Sequence, residues 1–281
     1  MFDHPSEFVR FKTSPHLPGV ELYSARLIEH AFALHVHDAY SIGAIEAGVE
    51  RFRYRGSDYL APADAVVMLN PGELHTGQAE VAAGWTYQML YIEPATLREL
   101  TGSEAFFPDA VVYDPALAAA YRNLFVRMWH APDDLAFVSE FTRLIDAIVL
   151  RYGRNARAIV TPSGAVLSPA SLRRTLDFIE ANLHDTLHID QIAAQAGLSM
   201  FHFARAFSST LRVTPHQYVQ ARRTVRAKSM LLQRAPPSDA AAAVGLTDQS
   251  HLNRWFKRAY GVTPAEYQQQ TGTRPDPQRR R

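Results

Sequence analysis

GLSMFHFARAFSSTLRVTPHQY (Gly197–Tyr218) and GLTDQSHLNRWFKRAYGVTPAEY (Gly245–Tyr267) are two copies of one pattern. His202 and His251, Arg205 and Arg254, Phe207 and Phe256, Val213 and Val262, Thr214 and Thr263, Pro215 and Pro264, and Tyr218 and Tyr267 fall in register at a spacing of 49 residues. Such self-similarity marks one supersecondary unit used twice. Each copy reads as helix, tight turn, helix. In the first, Ile192, Ala193 and Ala196 form a small apolar face, Gly197 suits the left-handed residue that ends a helix, and Ser199 can cap the next one. In the second, Ser238 can cap a helix over Ala240–Val244, Gly245 turns the chain, and Thr247 or Asp248 starts the following helix. Phe203 and Phe207, like Leu252 and Phe256, stand four residues apart and point inward together. This is the helix-turn-helix pattern, whose second helix fits a major groove.

After each unit, Thr214 or Thr263 caps a helix, proline takes its first position, and Gln217 or Glu266 completes a capping box. From Pro215 the pattern continues to about Gln233, a rod of roughly 28 Å. Two reading helices on one face of such a strut would enter successive major grooves, about 34 Å apart along the duplex.

The charge pattern agrees. Net charge is +1, but residues up to Ser168 carry 13 Lys and Arg against 20 Asp and Glu, whereas the rest carry 16 against 8. The basic half can release counterions from a polyanion, and the acidic half would be repelled by it. The 281 residues suffice for two domains. With no cysteine there is no disulfide scaffold, thiolate zinc finger or cysteine nucleophile, and a cytoplasmic location is expected. No stretch has the roughly 20 apolar residues of a membrane helix, so no membrane partner is expected.

The segment from Ser168 to Gln270 resembles the tandem DNA-binding domain of the AraC/XylS family of bacterial transcription regulators, and DQSHLNRWFKRAYGVTPAEY is close to that family's second-unit signature. The resemblance implies double-stranded DNA as a partner. It points Phe201, Ala204 and Arg205 toward bases in the first unit, with Met200 and His202 at the rim. In the second it points Gln249, Ser250, Asn253 and Arg254 into the groove, with His251 and Lys257 nearer phosphates. The first unit departs from the family pattern at Ser208 and Ser209, where basic residues are common, and at Arg212, where glycine is usual.

From Val20 to about Glu93, short alternating segments separated by turns predict an antiparallel β barrel. Phe32, Leu34 and Val36 take one strand face and Ala33, His35 and His37 the other. Phe52 and Tyr54 alternate with Arg51, Arg53 and Arg55 before a hairpin turn at Gly56-Ser57. Asp64–Leu69 and Thr86–Ile92 read as further strands, with a tight turn at Asn70-Pro71-Gly72 leading to His75. The HVH pair followed by NPGELH resembles the cupin barrel that serves as effector domain in many members of the same family. His35, His37, Tyr40, Tyr54, His75 and Tyr87 are the candidate effector-binding residues, and Tyr91 is a further tyrosine for such a pocket. No cofactor is required. A divalent metal on His35, His37 and His75 is one reading, and a metal-free pocket or structural histidines are the others. Metal-bearing cupins usually add a glutamate soon after the paired histidines, where this sequence has Tyr40 and Ser41, with Glu46 nearest.

Helical patterns follow over Ala116–His130 and from Pro132-Asp133-Asp134 to about Gly153. In the second, Leu135, Val138, Thr142, Ile145, Val149 and Tyr152 recur at the spacing of paired helices, which suits a homodimer or packing on the chain's own barrel. The expected fold is therefore α+β multidomain. Residues 1–105 form a cupin-like effector domain, 106–153 a helical dimerisation segment and 154–168 a linker. An all-α domain with two helix-turn-helix units takes 169–270, and a basic disordered tail 271–281. The expected function is an effector-responsive, sequence-specific transcription regulator, an activator contacting RNA polymerase by family resemblance, with no catalytic residues. The alternative is a metal-dependent cupin enzyme, a dioxygenase or isomerase, with a helical accessory domain.

Overall fold

Alternation between inward apolar and outward polar side chains builds the N-terminal half, and helical periodicity builds the C-terminal half. The computed structural model describes residues 2, 4–13, 17–130, 135–155 and 167–272. The expected start of the second helical segment at Pro132-Asp133-Asp134, most of the expected linker (156–166) and nearly all of the basic tail (273–281) lie outside them. The strands are β1 (Phe8–Thr13), β2 (Val20–Leu27), β3 (Phe32–His35), β4 (Tyr40–Tyr54), β5 (Ser57–Pro62), β6 (Ala65–Leu69), β7 (His75–Ala79) and β8 (Trp85–Ile92). Helix α1 (Pro94–Thr101), short strands β9 (Ala105–Phe106) and β10 (Val111–Tyr113), helices α2 (Pro115–His130) and α3 (Leu135–Tyr152), and strand β11 (Arg154–Asn155) follow. The rest is helical: α4 (Pro169–Ala181), α5 (Ile189–Ala196), α6 (Met200–Leu211), α7 (Pro215–Leu232), α8 (Pro237–Ala243), α9 (Gln249–Tyr260) and α10 (Pro264–Thr271).

All strand pairings are antiparallel, and the long β4 belongs to two layers. Its first part lies between β8 and β6, and its second part pairs with β5 and β7. A bulge between Ile45 and Ala47 separates the parts and leaves Glu46 exposed. Gly48 there has a φ of 75°, and a Cβ on it would stand 1.9 Å from the Gly84 carbonyl oxygen, so the bend requires glycine. The β4–β5 turn is Arg55-Gly56, both at positive φ, one residue earlier than the sequence suggested. Strand β1 was not expected; Val9 and Phe11 are its inward residues, and it pairs along β2. The alternation read for β3 also fails at one point: an irregularity between Phe32 and His35 puts Phe32 beside the His35 ring, at 5.7 Å, on the same cavity.

Helices α2 and α3 cover the outer face of the β4–β6–β8 layer. Phe141, Ile145 and Ile148 are fully buried in a cluster shared with Ile42, Val66, Tyr121 and Phe125. The part of the α3 stripe seen here packs on its own chain, while Leu150 stays 84% exposed.

Both expected helix-turn-helix units form. Gly197 ends α5 in the left-handed region, the boxes at Thr214/Gln217 and Thr263/Glu266 close, and Asp248 caps α9 by accepting from the His251 amide at 2.8 Å. Ser238 does not cap α8, which starts one residue earlier at Pro237, where proline fixes the helical φ. Arg212 ends α6 at a φ of 61°, where the second unit has Gly261 at 78°. A left-handed non-glycine residue costs about 1–2 kcal/mol, part of which a glycine returns as unfolded-chain entropy. Arg212→Gly is therefore expected to raise stability by up to about 1 kcal/mol in urea melts; a lowered midpoint would mean that the Arg212 side chain, packed over Gly56, outweighs the strain.

Candidate nucleic-acid interface and ligand cavity

Helices α6 and α9 each bury one face and expose the other. Phe203 and Phe207 are fully buried on α6, as are Leu252 and Phe256 on α9, and these apolar anchors fix the rotation of each helix. That rotation exposes Phe201 (71%), Met200, His202 and Arg205, and leaves Ala204 half-buried. On α9 it exposes Gln249, Ser250 and Arg254 and leaves His251, Asn253 and Lys257 half-buried. Every residue expected to read DNA thus lies on an accessible face. Arg205 and Arg254 have no ion-pair partner among the described residues, so their guanidinium groups are available. The two faces differ in chemistry: Leu198, Met200 and Phe201 make the first apolar, suited to thymine methyl groups, whereas Gln249, Asn253 and Arg254 can pair with base edges.

The second unit is joined to the barrel by a continuous core, in which Leu252, Phe256, Tyr260 and Tyr267 cluster with Val9, Phe11, Tyr23 and Phe32. The first unit has its own core around Ile179, Ile192, Phe203 and Phe207. Polar ties reinforce the junction. Lys228 of α7 donates to Glu21 of β2 at 2.5 Å, and the Tyr267 hydroxyl donates to the other Glu21 oxygen at 2.6 Å. Arg222 bridges Asp38, beyond β3, and Glu180 of α4, which holds its guanidinium above the ordinary range despite burial. The Phe11 amide donates to the Gln270 side chain at 2.8 Å.

A cavity of about 480 Å³ opens at this junction. Leu17, Val20 and Tyr91 line it from the barrel, Val225, Lys228 and Leu232 from α7, and Tyr260 from α9. The Lys228 ammonium sits 4.9–5.2 Å from the ring centres of Phe11, Tyr91, Tyr260 and Tyr267, an aromatic cage open to the cavity.

The six expected effector residues do not converge. His35, His75 and Tyr87 line a small cavity of about 30 Å³ inside the barrel, and His37 lines the large one. Tyr40 faces the opposite side of the sheet: its hydroxyl donates to the Ala105 carbonyl at 2.6 Å and its ring packs on Phe107. Tyr54 is tied to Glu73 and Asn70 at the hairpin end. The three histidines do meet. Their ring centres are 4.2–5.2 Å apart, and one nitrogen from each lies within 4.8 Å of the others. Burial holds all three imidazoles well below their ordinary pKa, His75 at about 4, so they are neutral. Glu50 lines the same small cavity, its carboxyl pushed up to about 8 by burial.

Sequence reasoning missed Glu50, Glu21 and Lys228. Glu50 was legible, since it precedes the inward Phe52 and Tyr54 at the same strand parity. Lys228 left a weaker signal, a cation on the α7 face shared with Val225 and Leu232.

The comparisons with known proteins follow this division. An AraC-like ligand binding domain matches residues 17–145, and a helix-turn-helix domain matches residues 192–270. The HTH-type transcriptional regulator YbfI of Bacillus subtilis (strain 168) is 27% identical over 245 residues, covering 85% of this chain and 87% of the relative. The HTH-type transcriptional activator RhaS of Escherichia fergusonii is 23% identical over 255 residues, covering 87% and 90%. Among solved structures, ToxT from Vibrio cholerae aligns with a TM-score of 0.55 at 12% identity, covering 94% of this chain and all of that one. A structure of ToxT with an unsaturated fatty acid bound aligns at 0.53 and 13%, covering 96% and 98%. At such identities the likeness concerns the shared two-domain fold. With a ligand-binding sheet domain in front of paired helix-turn-helix units, and full-length relatives of the same kind, the chain belongs to the AraC family of transcription regulators.

Proposed function

We propose that the effector of this regulator is a small amphipathic molecule held in the junction cavity, where it sets how the two reading units are presented to adjacent major grooves. The observation that carries this reading is the shared lining. A ligand touching Tyr91 and Val20 also touches Val225, Lys228 and Tyr260, residues of the helices that carry or join the reading units. Such a ligand shifts the arrangement only by binding one arrangement more tightly than the other, and contact with both halves supplies that difference. The apolar walls suit a hydrocarbon body, and the Lys228–Glu21 pair offers a polar end. ToxT, of like fold, binds an unsaturated fatty acid, a ligand of this general character.

DNA contact falls to Phe201, Ala204 and Arg205 on α6, and to Gln249, Ser250, His251, Asn253, Arg254 and Lys257 on α9. The protein acts in the cytoplasm as an activator touching RNA polymerase, and it is not an enzyme. The barrel cavity beside the histidines, at about 30 Å³, holds roughly one water and no organic substrate, which disfavours the dioxygenase or isomerase alternative. A homodimer would use the exposed flank of α3 at Leu150, with Leu144 and Ala147 in the neighbouring groove.

The test is Ser229→Trp, which fills the cavity from an exposed α7 position. Medium-chain carboxylates are expected to raise the melting temperature and change operator affinity of the wild-type chain, and to do neither in Ser229→Trp, whose ligand-free operator binding stays within about twofold of wild type. An unchanged ligand response in Ser229→Trp would move the effector elsewhere.

A further inference from the structure

The fold treats two consecutive arginines of α7 differently. Arg222 bridges Asp38 and Glu180, whereas Arg223, 8% exposed, has no carboxylate within ion-pair distance among the described residues. Arg223 Nε donates to the Leu183 carbonyl at 3.0 Å and Nη2 to the Asp185 carbonyl at 2.7 Å, both in the loop between α4 and α5. Its Nη1 has no hydrogen-bond partner among the described residues. Burial pulls this guanidinium below its ordinary pKa, and no anion offsets the effect. Arg223 lines a cavity of about 330 Å³ that shares no lining residue with the junction cavity. Helix α7 supplies His216, Val219, Gln220 and Arg223, one face at helical spacing, α5 supplies Ile192, and the turn at Gly245 closes the cavity from the second unit.

The second observation is Gln220. It is 9% exposed, its Nε2 lies 3.5 Å from His216 Nε2, and its Oε1 is buried with no hydrogen-bond partner among the described residues. An orphaned buried acceptor is costly unless a donor answers it. The cavity thus combines a guanidinium that lacks an anion, an amide oxygen that lacks a donor, and apolar walls at Leu187, Ile192 and Val219. We infer that it is a second ligand site, and that it takes a small branched carboxylate carrying one hydroxyl, a 2-hydroxy acid of five or six carbons. The carboxylate accepts from Arg223, the hydroxyl donates to the Gln220 amide oxygen, and the alkyl branch lies on Ile192 and Val219. Bare phosphate would leave the apolar walls uncovered, and the volume, at the low end for ligand pockets, shuts out larger bodies.

The site lies where the two reading units meet. Helix α5 leads into reading helix α6, and Gly245 leads into reading helix α9. A Cβ on Gly245 would stand 2.7 Å from the His184 carbonyl oxygen, so the loop before α5 and the turn before α9 already touch. A ligand beside that contact rests on both units and on the strut between them, entirely within the DNA-binding half. The inference does not depend on where the effector of the junction cavity binds.

The test is calorimetric titration of the full chain with 2-hydroxy-4-methylpentanoate, with 4-methylpentanoate and inorganic phosphate as comparison probes. The hydroxy acid is expected to bind at about one equivalent, roughly tenfold or more tightly than either comparison probe. Gln220→Leu, which keeps the shape and removes the orphaned oxygen, should abolish the preference for the hydroxyl. Thr186→Trp, which covers the mouth from an exposed loop position, should weaken binding about tenfold or more. Ser229→Trp, which fills the junction cavity, should bind the hydroxy acid as wild type does, so this site and the effector site fail separately. Circular dichroism shows whether each variant folds; Gln220→Leu keeps the inference testable if Thr186→Trp does not. Absence of binding to the wild-type chain overturns the inference, as does wild-type binding in folded Gln220→Leu and Thr186→Trp. Equal affinity for inorganic phosphate also overturns it, since Arg223 would then answer any oxyanion, the DNA backbone included. Binding lost in Ser229→Trp would overturn it by moving the ligand to the junction cavity.

Discussion

Arg254→Ala is expected to weaken operator binding roughly tenfold to a hundredfold and to relax selectivity at one base pair, while leaving the melting temperature almost unchanged. A guanidinium pairing in two places with guanine is worth about 1–3 kcal/mol of discrimination, and 1.4 kcal/mol is a factor of ten. Arg254 is exposed, so its loss opens no cavity in the fold, and exposed substitutions usually stay within about 0.5 kcal/mol. Lys257→Ala, at the position proposed to face phosphate, should instead weaken binding similarly on all sequences and lower the salt slope by about one. Selection of bound sites from randomised duplexes supplies the operator, and mobility shifts at two salt concentrations separate the two variants. Specific binding by Arg254→Ala equal to wild type would remove α9 from the groove. Arg205→Ala is the parallel test on α6, where apolar Phe201 and Met200 leave fewer polar contacts to compensate.

The reading helices were legible because duplication fixes their frame. Once Phe207 and Phe256 are matched, 49 residues apart, the buried anchors and the exposed arginines follow from helical period alone. The barrel was legible strand by strand, from alternation, and less so where alternation breaks. The irregularity in β3 turned Phe32 toward the histidines, and the bulge at Glu46 shifted the inward parity of β4, so that Glu50, Phe52 and Tyr54 point into the barrel while Tyr40 points to α2 and Phe107. A bulge adds one residue to one strand, and nothing in local composition announces it. The junction cavity was hidden for a different reason. Its lining comes from β2 and β8 on one side and from α7 and α9, more than a hundred residues further along the chain, on the other, and periodicity within a segment says which face is apolar but not what covers it.

That junction also carries the second large expected effect. Glu21→Ala leaves the Lys228 ammonium, with 15% side-chain exposure, in its aromatic cage without its carboxylate, and leaves the Tyr267 hydroxyl without its acceptor. Removing one member of a buried ion pair costs about 3–5 kcal/mol, because the surviving charge stays desolvated. Cation–π attraction from the four surrounding rings returns part of this, so a loss near 3 kcal/mol is expected. For a chain of this size that lowers the melting temperature by roughly 6–12 °C. Glu21→Gln combined with Lys228→Met removes both charges and should recover most of the loss. A coupling of at least about 1.5 kcal/mol in the double-mutant cycle identifies the pair as the tie between barrel and strut. Function should change with stability but not in proportion. Freed from β2, α7 presents the two units with less constraint, so Glu21→Ala should blunt the effector's influence on operator affinity even at temperatures where the protein is fully folded. A cycle with no coupling, or a wild-type effector response in folded Glu21→Ala, would show that the apolar core around Phe256 and Tyr260 holds the two halves together unaided.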